Sequence, residues 1–268
     1  MVRQHLSIRL RTRGTKRSEK SATGRTTMGD RLKVGGVAAL IEAATFIVGI
    51  AMFATVLGDY TTGDPTPAES VAFLVDEQAA LYIWNLVIFI VFGVALVPVV
   101  LALHERMRAA TPALAQASAA FGMVWVGLVL AAGMVANIGI GTVADLNETD
   151  PARAETVWSA LDSVQNGLGG GNEIAGGVWV LLVSLAALRT AALPTALNYL
   201  GIISGVAGLV TVVPPLEAVG AVFGVGLIVW FAWLGIAMLR DSRDPTSDRS
   251  RPPDAATRQG LRYEAPGQ

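Results

Sequence analysis

The sequence predicts an all-α fold: a polytopic membrane helix bundle of six transmembrane helices, with both termini cytoplasmic and short amphipathic helices on the extracytoplasmic side. Three observations predict it. Hydrophobic residues make up 53% of the 268-residue chain and charged residues only 15%, against about 25% charged in ordinary soluble domains. The apolar residues are gathered into six runs, and a helical span needs roughly 20 apolar residues to cross about 30 Å of hydrocarbon. Finally, of the 20 Lys and Arg residues, all but Arg153 fall on one side once the chain is threaded six times through a bilayer.

In chain order, residues 1–31 form a basic, polar tail in which Arg3, Arg9, Arg11, Arg13, Lys16, Arg17, Lys20, Arg25 and Arg31 outnumber Glu19 and Asp30. No apolar stretch precedes Leu32, so the tail lacks the short hydrophobic region of a secretory signal peptide. Its composition is that of a disordered cytoplasmic segment, or of an upstream extension ahead of a start at Met28. The domain from 32 to 239 holds the spans: Leu32–Leu57, Ala79–Leu103, Ala113–Ile140, the short Glu173–Leu188, Thr195–Val213 and Leu216–Leu239. Gly58 and Asp64-Pro65-Thr66-Pro67 end the first. Thr111-Pro112 opens the third with a cap and a proline in the first turn. Pro214-Pro215 separates the fifth from the sixth, because proline lacks an amide and restricts its neighbour. These runs are apolar on every face, which suits helices and not the alternating strands of a barrel. Residues 240–268 read as a second disordered cytoplasmic tail.

Cytoplasmic loops are the ones that hold Lys and Arg. Ten lie from the N-terminus through Lys33, with Arg106, Arg108, Arg189 and six from Arg240 onward on the same side. The two long loops face the other way and are acidic. Each contains an amphipathic segment. Pro67–Gln78 carries Val71, Phe73, Leu74 and Val75. Pro151–Asn166 has Asp150 as N-cap, Pro151 in its first turn, and Val157, Trp158, Leu161 and Val164 at helical spacing. Such segments lie on a membrane surface or cover the bundle.

Among candidate functional residues Glu42 stands first. It is the only ionisable residue in the interior of a span, where a charge costs about 2.5–3.5 kcal/mol on insertion scales. It is therefore expected to be protonated, paired or in contact with water. Gly35, Ala38, Thr45 and Gly49 share its face, and Asn85 is the expected hydrogen-bond partner. Glu42, Thr45, Asn85 and Asn198 form the candidate intramembrane polar site; Asn137 is a further amide within or near a span end. Gly201, Gly205, Gly220 and Gly224 form two small-xxx-small motifs that fit contacts inside the bundle or a homo-oligomer. Pro98 is expected to kink the second span. The tryptophans suit packing or interfacial anchoring.

Several classes are excluded or disfavoured. There are no cysteines and only two histidines, His5 and His104, which removes disulfides, thiolate catalysis and thiolate-held metals. His104-Glu105-Arg106 is no H-E-x-x-H, since Arg108 stands at the last position. Gly167-Leu168-Gly169-Gly170-Gly171-Asn172 lacks the Lys-Ser/Thr of a phosphate loop and reads as a hinge. The expected partner is the lipid bilayer of the plasma membrane. No nucleic acid, cofactor or metal is expected.

Gly176-Gly177-Val178-Trp179-Val180-Leu181-Leu182, followed by Leu193-Pro194-Thr195-Ala196-Leu197-Asn198-Tyr199-Leu200-Gly201, resembles small bacterial six-helix integral membrane proteins grouped as a domain of unknown function. The likeness covers the last three spans, roughly a third of the chain. It implies a plasma-membrane bundle and carries over no catalytic residues.

Three functional readings follow: a non-enzymatic membrane bundle of unknown role, a small proton- or cation-coupled transporter using Glu42, and a membrane-embedded enzyme. The last lacks a nucleophile or a metal set. No convincing repeat relates the first three spans to the last three.

Overall fold

A computed structural model describes residues 2–58, 65–170 and 173–243, with side-chain surroundings from Gly29 onward, residues 170, 214, 217 and 243 excepted. The loop acids Asp59 and Asp64, the end of the glycine run at Gly171 and Asn172, and the tail from residue 244 lie outside these. No strand occurs among the described residues.

The helices are α1 (Val2–Thr55), α2 (Pro67–Asp76), α3 (Gln78–Met107), α4 (Pro112–Thr149), α5 (Pro151–Gln165), α6 (Ile174–Thr190), α7 (Thr195–Val210) and α8 (Gly220–Arg243). Helix assignment in α1 continues back through the segment read from composition as a tail. α3 contains a π-helical stretch at Leu86–Val91. Pro98 lies inside the regular helix beyond it, so the departure from α-geometry falls earlier than the proline. α4 runs nine residues past Ile140, carrying the third apolar run into the acidic loop.

Five stretches are long and apolar enough to cross a membrane: 29–55, 78–107, 112–149, 220–242 and, counted across α5 and α6 together, 151–190. α7 is apolar but has 16 residues, about 24 Å of helix at 1.5 Å per residue. It packs between α6 and α8 with Tyr199, Ile203 and Val206 on its exposed face, and Pro194 and the 3₁₀ turn Pro214–Val219 bound it.

The apolar helices close into a ring in chain order. α1 packs on α3, α3 on α4, α4 on α6, α6 on α7, α7 on α8, and α8 returns to α1. Two of these contacts are backbone to backbone. A Cβ on Gly36 would stand 3.0 Å from the Gly235 carbonyl, and one on Gly235 would stand 2.7 Å from the Gly36 carbonyl. Gly177 and Gly205 face each other in the same way, each 2.8 Å from the other's carbonyl oxygen. Apolar side chains give no net drive for helices to associate in lipid, so close backbone approach is what such interfaces use.

Inside the ring lies an aromatic core. Phe92, Trp125, Trp179, Phe223, Trp230 and Phe231 are all buried. Their rings meet edge-on or stacked, from Phe92–Trp125 at 5.2 Å to Trp125–Phe223 at 6.4 Å. Burial makes these tryptophans packing residues and not interfacial anchors. Outside the ring the surface is apolar as well: Val94, Ile138 and Ile203 are at least 60% exposed. A water-soluble protein rarely leaves a continuous apolar surface of this extent uncovered. The molecule is a multi-pass membrane protein.

One end of the ring carries a cap. α2 and α5 pack on each other and on the end of α4, burying Val71, Leu74, Ile140, Val143 and Ala154. Local chemistry sets both helix starts. Asp150 accepts from the Arg153 amide at 3.2 Å and Pro151 follows, as the sequence predicts. Thr66 and Glu69 form a reciprocal capping box: the Thr66 amide and hydroxyl both donate to Glu69 Oε2 at 2.8 Å, and the Glu69 amide donates to Thr66 Oγ1. Thr111 is different. Its hydroxyl donates to the Met107 carbonyl and caps nothing at the start of α4.

The capping box makes α2 sensitive to acid. The hydrogen bonds from Thr66 hold the Glu69 carboxyl below its ordinary value. A lowered folded-state pKa contributes stability that is present above the unfolded value and is lost as pH falls through the folded one. The amides of residues 68–70 should therefore lose protection against solvent exchange, relative to the free-peptide rate at the same pH, once pH drops below the ordinary carboxylate range. Thr66→Ala should show the fast exchange already at neutral pH, consistent with the ~1 kcal/mol typical of an N-cap. Mass-spectrometric hydrogen exchange across the two conditions checks this.

The opposite end is basic and cross-linked. Glu105 bridges Arg31 and Arg108, each at 2.8 Å. Arg106 reaches both Asp241 and the Ala192 carbonyl, tying α3 to α8 and to the α6–α7 turn. His104 Nδ1 lies 3.0 Å from the Ala115 carbonyl. A carbonyl only accepts, so this nitrogen carries the proton.

Candidate functional site

Glu42 sits midway along the apolar part of α1 and faces the ring interior with no exposure. Neither carboxyl oxygen has a hydrogen-bond partner, and no ion pair involves Glu42 among the described residues. The Thr45 hydroxyl, one turn away, is committed to the Glu42 backbone carbonyl at 2.8 Å.

The register of α1 against α3 explains why Asn85 does not serve. Gly35 faces Ala102 and Gly49 faces Ile88. These antiparallel pairs set Glu42 level with Ala95. Asn85 is ten residues further along α3, about 15 Å at the helical rise. The expected Glu42–Asn85 hydrogen bond is absent. Asn198 lies toward the basic end of the ring, buried, where its Nδ2 donates to the Leu193 carbonyl at 3.3 Å. The four residues read from the sequence as one polar site thus occupy different levels of the bundle. Glu42 and Thr45 remain neighbours, while Asn85 and Asn198 lie toward opposite ends.

Asn85 belongs instead to a cavity of about 460 Å³ between the cap and the bundle. Its deep side is formed by Thr45 and Phe46, one turn along α1 from Glu42. Its walls are aromatic: Phe53, Trp84, Phe89, Phe92, Trp125 and Trp158. Trp84 is held by a hydrogen bond from Nε1 to the Gly49 carbonyl at 3.1 Å and stacks on Phe53. Its upper side is polar. Asp162, Gln165, Asn166 and Gly169 descend from α5 and the π-type turn after it, and Glu173 stands at the start of α6. Gly169 takes φ 138°, a left-handed backbone that favours glycine. Thr211 fixes Glu173 by accepting from its backbone amide at 3.1 Å. The Glu173 carboxylate makes no hydrogen bond or ion pair among the described residues.

These upper residues escaped the sequence reading, although a signal for them exists. Trp158, Asp162, Gln165, Asn166 and Gly169 recur at helical spacing, so a single stripe faces the cavity beside the apolar stripe of Ala154, Val157 and Leu161 that holds the cap.

The glycine motifs are largely used inside the chain. A Cβ on Gly201 would strike Ser184 Oγ and Trp230 Nε1; one on Gly205 would strike Leu181 and the Gly177 carbonyl. Gly220 approaches Thr211, and Gly224 alone of the four faces open space. No cluster of three or more His, Cys, Asp or Glu residues suited to a metal occurs among the described residues.

A closed ring of apolar helices, a buried acid at mid-depth and a capped aromatic cavity define a multi-pass helical membrane protein with an internal binding-sized space. The chain belongs to the family described as Domain of unknown function (DUF4386), which matches residues 34–238. That match spans the ring from α1 to α8 and both cap helices, well beyond the last three spans that carry the resemblance in the sequence. No curated protein and no solved structure matches the chain.

Proposed function

We propose that the protein is a non-enzymatic, proton-linked carrier of the plasma membrane that loads a small molecule into the capped cavity. In this reading all six apolar helices span, the short α7 included, and both termini are cytoplasmic. The cap faces outward. The charge distribution supports that orientation: Arg31, Arg106, Arg108, Arg189 and Arg240 gather at one end, and cations in short loops stay inside.

One observation carries the carrier reading. The cavity comes within one helical turn of Glu42, whose carboxyl oxygens are both unpartnered. A structural acid joining two helices would show a hydrogen bond to an amide or carbonyl, and Glu42 has none. An intramembrane acid without a structural partner is a functional residue by default, and its chemistry is to hold and release a proton. An enzyme is less well supported, because His104 is engaged with Ala115 at the end opposite the cavity. Gly224 is the position from which two copies of the chain would meet.

The test is proton movement in reconstituted vesicles. After a pH jump, vesicles containing the protein and an entrapped pH dye should equilibrate faster than empty ones. Glu42→Gln should return the rate to that of empty vesicles while the protein stays folded and monodisperse. An unchanged rate in that variant would remove Glu42 from the mechanism.

A further inference from the structure

We propose that the cavity takes an amphipathic organic cation, its apolar or aromatic body seated among the rings and its positive charge toward Asp162 and Glu173. The proposal rests on the carrier reading, and names the class of molecule carried.

The lining makes the case. Aromatic faces present negative potential, and a cation within about 6 Å of a ring centroid is attracted to it, more strongly when both are desolvated. The wall holds Trp84, Trp125 and Trp158, the indoles being the best such faces, and no Lys, Arg or His lines the cavity. Two carboxylates close its upper side, and no ion pair neutralises either one among the described residues. Asn85 supplies an independent pointer to a ligand. It is 4% exposed, lines the cavity, and makes no hydrogen bond among the described residues. Its amide opens on the cavity, where a bound molecule bearing a polar group would meet it.

Size and field agree. The volume of about 460 Å³ falls within the roughly 300–1,000 Å³ of pockets for drug-sized molecules. Around the cap, Asp76, Glu77, Asp145, Glu148, Asp150 and Glu155 face only Arg153 in the two loops. A surface of one sign raises the local concentration of the opposite ion. An anion would meet repulsion at the cap and again inside. A neutral molecule would gain the aromatic contacts but bring no counter-charge to Glu173 or to Asp162, whose Oδ2 accepts from Asn166 Nδ2 at 3.0 Å.

The experiment uses three probes of similar shape and different charge: tetraphenylphosphonium, triphenylphosphine oxide and tetraphenylborate. Each is titrated against the full chain in phosphatidylcholine nanodiscs, with empty nanodiscs correcting for partition, and read by tryptophan fluorescence. The phosphonium should bind saturably and about tenfold or more tighter than the neutral oxide, a ratio in the range of one desolvated charge contact. The borate should show no saturable binding. Asp162→Asn with Glu173→Gln should reduce phosphonium binding to the level of the oxide and leave the oxide unchanged. Equal binding of oxide and phosphonium by the wild-type chain would overturn the cation assignment while the cavity stayed a binding site. An intact preference in the double variant would also overturn it. No saturable binding by any of the three would overturn both the assignment and the carrier reading beneath it.

Discussion

Gly177→Ala should destabilise the bundle, whereas Gly224→Ala should stabilise it slightly, although both replace a helical glycine by the same residue. Alanine is the better helix former by about 1 kcal/mol, so the local term favours both changes. The tertiary term separates them. At Gly224 an added Cβ meets nothing within 4 Å, and the local gain stands alone. At Gly177 it stands 2.8 Å from the Gly205 carbonyl and 3.1 Å from the Leu209 amide. Both neighbours are backbone, and backbone in a helix has no rotamer to change. α6 and α7 must move apart along their contact, and overpacking of this kind costs about 1–3 kcal/mol, occasionally more. Gly235→Ala meets the Gly36 carbonyl at 2.7 Å and should behave in the same way. The ring closes through that α1–α8 contact, so the loss there should also loosen α1 from α3. Thermal unfolding in detergent, followed by size exclusion, reads the two signs. If Gly177→Ala and Gly224→Ala shifted the midpoint equally, close approach would not be what holds these helices.

The same reasoning marks where the sequence was informative. Length and hydropathy located the apolar helices, and Asp150-Pro151 located the start of α5, because caps and prolines act within one turn. The family resemblance was also legible, carried by Gly176, Gly177 and the Leu193-Pro194 turn. Ring closure was not. A helix that is apolar on every face has no hydrophobic direction, so hydropathy does not say which side meets which neighbour. Glycine contacts set that here, and the Gly36–Gly235 pair is about three quarters of the chain apart in sequence. The candidate site suffered for the same reason. Glu42 and Asn85 are both buried polar residues on adjacent helices, but their levels depend on the α1–α3 register, which the Gly35–Ala102 and Gly49–Ile88 contacts fix. The cavity was harder still, since its upper side comes from a helix that the sequence left either on the membrane surface or over the bundle. Only after α5 folds against α2 and α4 does the Asp162 stripe turn inward.

Glu42→Leu should make the protein more stable and inactive. A polar group buried without a hydrogen bond costs about 1–3 kcal/mol in proteins, and Glu42 presents two such oxygens in a dry position. Leucine is one bond shorter but bulkier at its branch and has no polar atom to desolvate, so removing the carboxyl removes the penalty. The expected gain is about 1–3 kcal/mol, seen as a raised unfolding midpoint in detergent. Glu42→Gln should give no such gain, because the amide keeps an acceptor and adds two donors in the same surroundings. The predicted order of stability is therefore Leu above Glu, with Gln equal to Glu or below it. Proton movement should be lost in both variants. The opposite order would arise if Glu42 joined helices: an interhelical hydrogen bond in a membrane contributes about 0.6–2 kcal/mol, and leucine would forfeit it. A fall in stability for Glu42→Leu would therefore dispose of the unpartnered acid and the carrier together. A rise with loss of proton movement would mean that the chain retains a destabilising residue at mid-membrane because its proton is used.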